Sequence, residues 1–190
     1  MVKVLIVGTI NDASLIGLAQ KLENPEIHYL LVGAGDAAQL GKYGVSKAYV
    51  LPSQVDEHSF AELLVDLVNK NAYSLVTAPI NKFFKTAIPI AAQRLSVPLV
   101  IDIVDLKQVG NTFEVVFNGV GNRAQITAKI TDRAFVMAPP ARFKAGEKPA
   151  TTSTEVLQPK IISPVKIVST EEKPKGKVRI EDADSRSRRI

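Results

Sequence analysis

The chain has 190 residues, of which 46% are hydrophobic and 23% charged, enough for one well-buried domain plus an appendage but not for two ordinary domains. It contains no cysteine, which excludes disulfides, thiolate metal sites, iron–sulfur ligation and a cysteine nucleophile. The amino-terminal apolar run is far too short for a signal sequence or a membrane span, so we predict a cytoplasmic protein without a membrane partner.

The net charge of +5 is concentrated towards the end of the chain. Residues 160–190 hold nine Lys/Arg and five Asp/Glu. Because the two signs are interspersed and no aromatic residue accompanies them for base stacking, the pattern favours a solvated linker. A nucleic-acid-associated protein that acts through this basic tail is kept as an alternative, since basic tails can bind phosphates.

The first part of the chain alternates apolar strands with helices. Residues 3–8 form an apolar run that ends in glycine, and residues 11–22 begin with capping residues and then repeat apolar positions at helical spacing. A second buried strand is predicted at residues 27–33, followed by a short helix at 36–42 and a third strand at 47–51. The predicted order is therefore βαβαβ.

The clearest predicted helix has one apolar face, formed by Phe60, Leu63, Leu64, Leu67 and Val68. A fourth strand is predicted at residues 73–78, and a second helical stripe at 84–95 contains Pro89, which we expect to kink or restart that helix. Strands that are apolar on both faces and separated by helices require a parallel sheet covered on both sides. We therefore predict an α/β fold with a doubly wound, mainly parallel, Rossmann-like sheet.

The alternation of strands and helices ends after residue 101, because helices no longer separate the apolar runs. Three runs with only short Asn/Gly/Asp turns between them predict an antiparallel carboxyl-terminal extension: 113–117, 124–130 and 134–137. From residue 145 onward Pro, Lys, Glu, Thr and Ser dominate. We predict an α/β domain at residues 1–145 and a basic, largely flexible linker or tail at residues 146–190.

Residues 33–38 fit the G-x-G-x-x-G/A dinucleotide fingerprint. Asp56 lies near the position at which that fingerprint has its ribose-binding acidic residue. The match follows the second strand rather than the first, the helix that it opens is very short, and Asp56 lies beyond the end of the third strand. An ordinary strand-to-helix turn with Asp36 as the helix cap explains the same residues, and this is the interpretation that we favour.

Ligands of open α/β sheets bind outside the carboxyl ends of the strands, near the point where the strand order reverses. That rim offers Asn11, Asp12, Asn81 and Lys82 to an adenine nucleotide, but the chain has no G-x-x-x-x-G-K-[ST] phosphate loop. A free-standing adenine-nucleotide-binding α/β domain is therefore a second functional alternative, without nucleotide hydrolysis.

Few residues offer catalytic chemistry. Asp102 and Asp105 resemble a carboxylate pair, but residues three apart in an extended segment point to opposite faces, which argues against joint acid/base work. His28 and His58 are far apart in sequence, and isolated histidines are more often structural than ligands. We name no catalytic, cofactor-binding or metal-binding residue, and we predict that the protein is not an enzyme.

Residues 78–89 resemble a segment of electron transfer flavoprotein alpha subunits that reads Ala-Pro-x-x-x-x-Gly-Lys-x-Leu-x-Pro before an alanine-rich helix. The agreeing residues are Ala78, Pro79, Lys85, Pro89, Ala91, Ala92 and Leu95. Four further segments are similar to the strands and the hairpin of this family: 43–50, 102–106, 121–122 and 136–143. The chain departs from the family pattern, which has glycine or arginine, at Phe84, Ile90, Val116 and Pro139.

The resemblance covers residues 1–145 and the linker to Asp184. It implies the amino-terminal domain of an alpha subunit, with the adenine nucleotide alpha hydrolase-like form of the α/β fold. In the family, Ala183 and Asp184 would lead into the Ser-Gly-Gly-Arg-Gly loop of the FAD domain, whereas residues 185–190 follow here. We therefore expect that the FAD domain is absent and that this chain alone binds no cofactor, although FAD is implied for the complete assembly.

The resemblance also implies a partner, either a beta-type electron transfer flavoprotein subunit or a second copy of the chain. In such flavoproteins the two subunits form a base on which the FAD domain swivels. We expect contacts at the hairpin 118–122, whose small turn residues let backbones approach closely, and at the apolar patch 161–168, which a partner's sheet edge can complete. The chain is thus predicted to be the structural, partner-binding half of a flavin electron carrier.

Overall fold

A computed structural model describes residues 2–51, 55–121, 123–160 and 169. Its strands are β1 (Val2–Gly8), β2 (Pro25–Val32), β3 (Val45–Leu51), β4 (Leu75–Pro79), β5 (Leu99–Ile101), β6 (Ile103–Val109), β7 (Thr112–Gly119), β8 (Ala124–Thr131), β9 (Ala134–Ala138) and β10 (Ser153–Val156). The α-helices are α1 (Ile16–Ala19), α2 (Glu57–Asn71) and α3 (Lys82–Arg94). Short 3-10 helices span Ile10–Leu15, Ala37–Tyr43 and Pro140–Arg142.

Seven strands form one sheet in the order β10-β3-β2-β1-β4-β9-β5, and every neighbouring pair is parallel. The chain runs from β1 to β3 on one side and then crosses to β4 on the other side of β1, so the strand order reverses between β1 and β4. Alternate residues of β1 enter two different apolar clusters, one for each face of the sheet. These observations confirm the predicted doubly wound α/β fold.

The two longer helices cover one face of this sheet. Helix α2 buries Phe60, Leu64 and Val68 in one apolar cluster. The same cluster receives Ala87, Ile88 and Ala91 of α3, which are fully buried. Pro89 lies inside α3, and the helix continues through it from Lys82 to Arg94, so the expected restart does not occur. The buried residues on both sides of the proline hold the two halves against the sheet.

Strands β6, β7 and β8 form a separate antiparallel sheet, which we call the small sheet. Its inner face is anchored in the core by five buried side chains: Ile103, Leu106, Phe113, Val115 and Ile130. The antiparallel extension that we predicted therefore exists, with one correction. Strand β9 was expected in it, but β9 lies in the large sheet, parallel to β4 and β5 between them. All five β9 residues are buried, which suits an interior parallel strand.

Residues 146–160, which we call the strap, run back along the domain and end the large sheet with β10. The amide of Ala150 donates to the Gly41 carbonyl at 2.9 Å, and β10 pairs with β3 from Ser153 to Val156. Residues 146–160 thus make backbone hydrogen bonds to the domain. The patch 161–168 and residues 170–190 lie outside the described residues, so the division of the chain at residue 145 and the flexibility of the rest stay predictions.

Candidate functional site

A cleft of about 380 Å³ lies at the carboxyl ends of β1, β2 and β4, where the strand order reverses. Eight residues line it: Thr9, Val32, Gly33, Val55, Asn81, Lys82, Phe83 and Phe84. The loop after β1, the end of β2, the residues before α2 and the first turn of α3 each contribute to this lining. The cleft therefore occupies the position that general rules for open α/β sheets assign to a ligand.

The structure brings together some of the rim residues predicted from the sequence and separates others. Asn81 and Lys82 line the cleft, and the side-chain oxygen of Asn81 caps α3 by accepting from the Phe84 amide at 2.9 Å. Asn11 and Asp12 are not among the lining residues. The Asp12 carboxylate accepts from the amide and the hydroxyl of Thr9, both at 2.8 Å, so it closes the loop that follows β1.

The walls of the cleft are mainly apolar and partly aromatic. Phe83 packs edge-to-face against both Phe60 and Phe84, with ring centroids 5.2 Å apart in each pair, which fixes its ring at the wall. Gly33 has a φ of +85°, and a Cβ built on it would meet nothing within 4 Å, so the end of β2 leaves the cleft open. Lys82 is the charged residue of the lining, which contains no acidic side chain.

A buried tyrosine, Tyr29, fixes the backbone beside this cleft. The Tyr29 hydroxyl donates to the Thr9 carbonyl at 2.7 Å, so it fixes the backbone where β1 ends. Burial, together with the nearby Asp12 carboxylate, raises the pKa of Tyr29 above its usual value. The phenol therefore stays protonated and continues to donate this hydrogen bond.

The outer end of the small sheet is a second candidate surface. Strand β8 pairs with β7 on one side and has no strand on its other side among the described residues. Ile126 of β8 is 41% exposed and lies opposite Phe117 of β7, and Val120 at the hairpin is 78% exposed. Ile101, at the end of β5, is 40% exposed. We call Ile101, Phe117, Val120 and Ile126 the apolar end of the small sheet.

A family model described as the electron transfer flavoprotein domain matches residues 7–160. The chain belongs to this family. No curated protein matches the chain. The family match confirms the resemblance to electron transfer flavoproteins at the level of the family, and it identifies an electron transfer flavoprotein-related protein.

The electron transfer flavoprotein domain match also includes the strap, because it extends to residue 160. The matched region thus contains the small sheet and the whole large sheet apart from residues 2–6 of β1. No helix within the described residues is long and apolar enough to cross a membrane.

The fingerprint segment of this electron transfer flavoprotein domain has a structural explanation. Asp36 caps the short 3-10 helix by accepting from the Ala38 amide at 2.9 Å, and Gly35 packs against Ile10. Asp56 caps α2, where its carboxylate accepts from the His58 and Ser59 amides at 3.0 Å each. These contacts agree with the capping interpretation that the sequence favours.

Asp102 and Asp105, which resemble a carboxylate pair in the sequence, bind different cations. Asp102, which has a φ of +60°, accepts from Arg142 at 2.9 Å, whereas Asp105 accepts from Lys21 at 2.6 Å. Burial, the largest single effect, opposes ionisation of Asp105, but the hydrogen bonds from Lys21 and the Leu106 backbone, together with the charges of Lys21 and Lys107, outweigh it and lower the pKa of that carboxyl. Both ion pairs join the start of the small sheet to the α/β domain, which is a structural use of these carboxylates.

The two histidines have different surroundings. His58 is exposed in the first turn of α2. His28 is 6% exposed and both of its ring nitrogens have partners, a feature that the sequence alone did not indicate. Among the described residues, no group of three or more His, Cys, Asp or Glu side chains lies close enough to hold a metal ion.

Proposed function

We propose that this chain is an alpha-type electron transfer flavoprotein component whose α/β domain serves as a structural, partner-binding platform rather than as an enzyme. The partner is a beta-type subunit of the same family or a second copy of the chain. The observation that carries the proposal is the apolar end of the small sheet beside the open edge of β8.

An open strand edge is a feature that natural proteins usually protect, and exposed apolar side chains beside such an edge favour association. Unpaired backbone groups of β8 can accept another strand, and natural proteins commonly protect such edges with charges or bulges. Here Val120 and Ile126 expose large fractions of their side chains next to that edge. Burying them against a partner removes apolar area from water, which is the main driving force of association.

The other contacts of the small sheet hold it firmly against the α/β domain, so it can serve as a rigid support. Its inner face is locked into the core, and the pairs Lys21–Asp105 and Arg142–Asp102 fasten its first strand. The far end projects with the apolar side chains of Val120 and Ile126, and Val109 is exposed at the turn between β6 and β7. A platform of this kind contributes shape and contacts, while the redox chemistry belongs to the bound flavin of the complete assembly.

The cleft at the sheet rim does not fit a flavin dinucleotide. Its volume of about 380 Å³ lies near the lower end of the range for ligand pockets, about 300–1,000 Å³. A flavin dinucleotide carries two phosphates and an extended ring system, but the lining supplies one lysine, and of the fingerprint segment 33–38 only Gly33 lines the cleft. We therefore propose that the described residues bind no flavin by themselves and derive no flavin-linked electron-transfer step through them.

The partner-binding proposal is tested with Val120→Lys and with Val156→Lys as its matched control. Val156 is 59% exposed and lies on β10, the edge strand of the large sheet opposite to β5. Size-exclusion chromatography with light scattering, run alone and with a co-expressed beta-type subunit, measures the assembly. We expect Val120→Lys to weaken association about tenfold or more, as for a buried interface anchor, and Val156→Lys to leave it unchanged.

Two results would contradict the platform proposal. One is a chain that stays monomeric at all accessible concentrations and does not bind the beta-type subunit. The other is equal weakening by both substitutions, which would place the interface elsewhere or indicate a general loss of fold. Circular dichroism of each variant separates these last two cases.

A second candidate function is the binding of an adenine mononucleotide in the cleft, and its position at the strand-order reversal favours it. The ring of Phe83 offers a flat apolar wall for a base, and Lys82 can meet one phosphate. Because the lining holds a single cation, we expect AMP to bind better than ATP. Nucleic-acid binding through the tail rests on residues outside the described ones and receives no support from this cleft.

Titration calorimetry with AMP and ATP tests this second candidate. Lys82→Ala should weaken AMP binding about fivefold, the value of one exposed charge contact of about 1 kcal/mol. Lys85→Ala is the matched control, because Lys85 is an exposed lysine of the same helix that does not line the cleft. Absence of heat with either nucleotide at millimolar concentration would exclude the site.

A further inference from the structure

A buried tyrosine is hydrogen-bonded to a buried histidine in the α/β domain. The hydroxyl oxygen of Tyr73 lies 2.6 Å from Nδ1 of His28, and the other ring nitrogen, Nε2, lies 3.0 Å from a carboxylate oxygen of Glu26. Tyr73 is fully buried and His28 is 6% exposed. The three side chains therefore form a phenol–imidazole–carboxylate row, which we call the Tyr73 row.

The proton positions in the Tyr73 row follow from its acceptors. Nε2 of His28 faces a carboxylate, so it carries the proton of the neutral ring and donates it to Glu26. Nδ1 then has a free lone pair and accepts the phenol proton of Tyr73. Burial, the largest effect, outweighs the attraction of Glu26 and lowers the pKa of His28, so the ring is neutral at neutral pH. The phenol is thus in direct contact with a base.

The burial of the Tyr73 row leaves no room for a substrate at the phenol oxygen, but an electron and a proton need no open path. Burial also raises the pKa of Tyr73, so the phenol keeps its proton until an electron leaves. Loss of an electron makes a phenol strongly acidic, and without a base it would leave a buried cation, which is costly. Nδ1 of His28 is positioned to take the proton, and the hydrogen bond to Glu26 stabilises the imidazolium that forms.

Two of the other tyrosines donate to acceptors that are not bases. The Tyr29 hydroxyl donates to the Thr9 carbonyl at 2.7 Å. The Tyr49 hydroxyl donates to the side-chain oxygen of Asn71 at 3.2 Å. Neither a carbonyl nor an amide oxygen takes up a proton at neutral pH, so electron loss from these two phenols is not assisted in the same way.

The surroundings of Tyr43 and the composition of the chain also favour oxidation at Tyr73. Lys42 lies 4.8 Å from the centre of the Tyr43 ring, and its positive charge opposes removal of an electron there. The chain contains no tryptophan and no cysteine, the other side chains that readily lose one electron. The hydroxyl of Tyr49 lies 3.4 Å from that of Tyr73, close enough for an electron to pass between the two rings. An oxidising equivalent that reaches Tyr49 should therefore move on to Tyr73.

We propose that Tyr73 is a redox-active tyrosine that gives one electron to outer-sphere one-electron oxidants while Nδ1 of His28 takes up its proton. The O–H bond of the phenol breaks, an N–H bond forms at Nδ1, and the oxidant is reduced by one electron. An electron from a one-electron reductant restores the phenol, because the same proton moves back. The Tyr73 row thus holds a single oxidising equivalent reversibly. It is separate from the apolar end of the small sheet and from the cleft, so it does not depend on either proposed function.

Flash photolysis of the full chain with a ruthenium(II) polypyridyl sensitiser and a sacrificial electron acceptor tests the site of oxidation, because it generates ruthenium(III) as the oxidant. We expect a neutral phenoxyl radical, detected by optical absorption and electron paramagnetic resonance. Tyr73→Phe should slow radical formation about a hundredfold, the typical contribution of a positioned base. Tyr29→Phe is the matched control, because Tyr29 is equally buried but donates to a carbonyl, and it should leave the rate unchanged. An unchanged rate in Tyr73→Phe would overturn the proposal.

The spectrum of the radical tests His28 as the proton acceptor in the unmodified chain. With nitrogen-15 histidine, electron–nuclear double resonance should show an exchangeable proton hydrogen-bonded to the phenoxyl oxygen and a coupling to a histidine nitrogen. Radical formation should also be slower in D₂O, because the O–H bond breaks as the electron leaves. Absence of the histidine coupling or of the solvent isotope effect would refute the proposal.

Two histidine variants complete the test. His28→Gln keeps a polar side chain but has no base, so it should slow radical formation about a hundredfold, as Tyr73→Phe does. His58→Gln is the control, because His58 is exposed in the first turn of α2, and it should not change the rate. Equal rates in the two variants would contradict the role of His28. If His28→Gln fails to fold, the labelled radical of the unmodified chain still decides the question.

Discussion

Gly17→Ala is the substitution that tests most directly how residues 144–145, just before the strap, pack on the domain. Gly17 is buried in the short helix α1, and the chain around residues 144–145 crosses directly over it. A Cβ built on Gly17 would lie 2.3 Å from the Lys144 carbonyl oxygen and 2.6 Å from its carbon. These neighbours are backbone atoms, so they cannot move aside as the end of a flexible side chain can.

Two opposing contributions set the expected loss of stability. Insertion of a methyl group into a closely packed contact costs about 1–3 kcal/mol. Alanine gains up to about 1 kcal/mol over glycine in a helix interior, but α1 is short, so the gain is at its smallest here. We therefore expect Gly17→Ala to lower the free energy of unfolding by about 1–2 kcal/mol and to displace the beginning of the strap.

Urea unfolding measures this change, with Gly146→Ala as the matched control. A Cβ on Gly146 would meet only the Gln20 side chain at 3.5 Å, an ordinary contact distance, so that variant should stay within about 0.5 kcal/mol of the unmodified chain. Limited proteolysis should show faster cleavage after Lys144 in Gly17→Ala alone. Equal or higher stability of Gly17→Ala would refute the packing of residues 144–145 on α1.

Further predictions concern the contacts that hold the strap, the small sheet and the core. Gln20→Ala removes three hydrogen bonds, including two with Gly146, and should cost about 1–2 kcal/mol in urea unfolding while speeding proteolysis of the strap. Asp102→Asn breaks the ion pair with Arg142. Because both side chains are about one-third exposed, the loss of unfolding free energy should stay below about 1 kcal/mol and vanish in high salt. Phe135→Ala empties a fully buried site in β9 and should cost about 3–5 kcal/mol, measured by thermal unfolding; a loss below about 1 kcal/mol would contradict the interior position of β9.

Local patterns in the sequence were sufficient for the first four strands and for the two longer helices. The stripe on α2 is a clear case, because Phe60, Leu64 and Val68 recur at helical spacing and are all buried. The alternation of such segments then predicts a parallel sheet through the handedness of its crossovers. The reversal of strand order, and with it the place of the cleft, follows from the same reasoning.

The positions of β9 and β10 could not be obtained in this way. Short turns before β9 indicate an antiparallel neighbour, whereas its place between β4 and β5 depends on long-range pairing that local turn chemistry does not encode. Strand β10 contains Ser153, Thr154 and Glu155 and has little apolar signal, so its pairing with β3 depends on backbone hydrogen bonds. Gly17 is a signal that sequence reasoning missed, since a glycine inside an apolar helix indicates close backbone packing.

The predicted partner contacts, the hairpin 118–122 and the patch 161–168, stay predictions. The hairpin region does present an exposed apolar residue at Val120, but the larger surface includes Ile126 and Ile101, which come from separate strands. In the sheet register Ile126 lies opposite Phe117, and β5, which ends at Ile101, contacts β7. The patch 161–168 lies outside the described residues, so its role as a contact stays a prediction.

The insertion of β9 between β4 and β5 has a consequence for the order in which the molecule folds. Within the described part of the chain, β5 pairs with β9 alone, although the whole small sheet separates these two strands in sequence. Strand β5 thus has no template until β9 has reached β4, and contacts of such long sequence separation form slowly because the intervening loop must close first. Ile101, at the end of β5, belongs to the surface that we assign to the partner. The pairing of β5, and with it the placement of Ile101, should therefore be a late kinetic event, whereas the β7–β8 hairpin that carries Val120 and Ile126 can form earlier from local contacts.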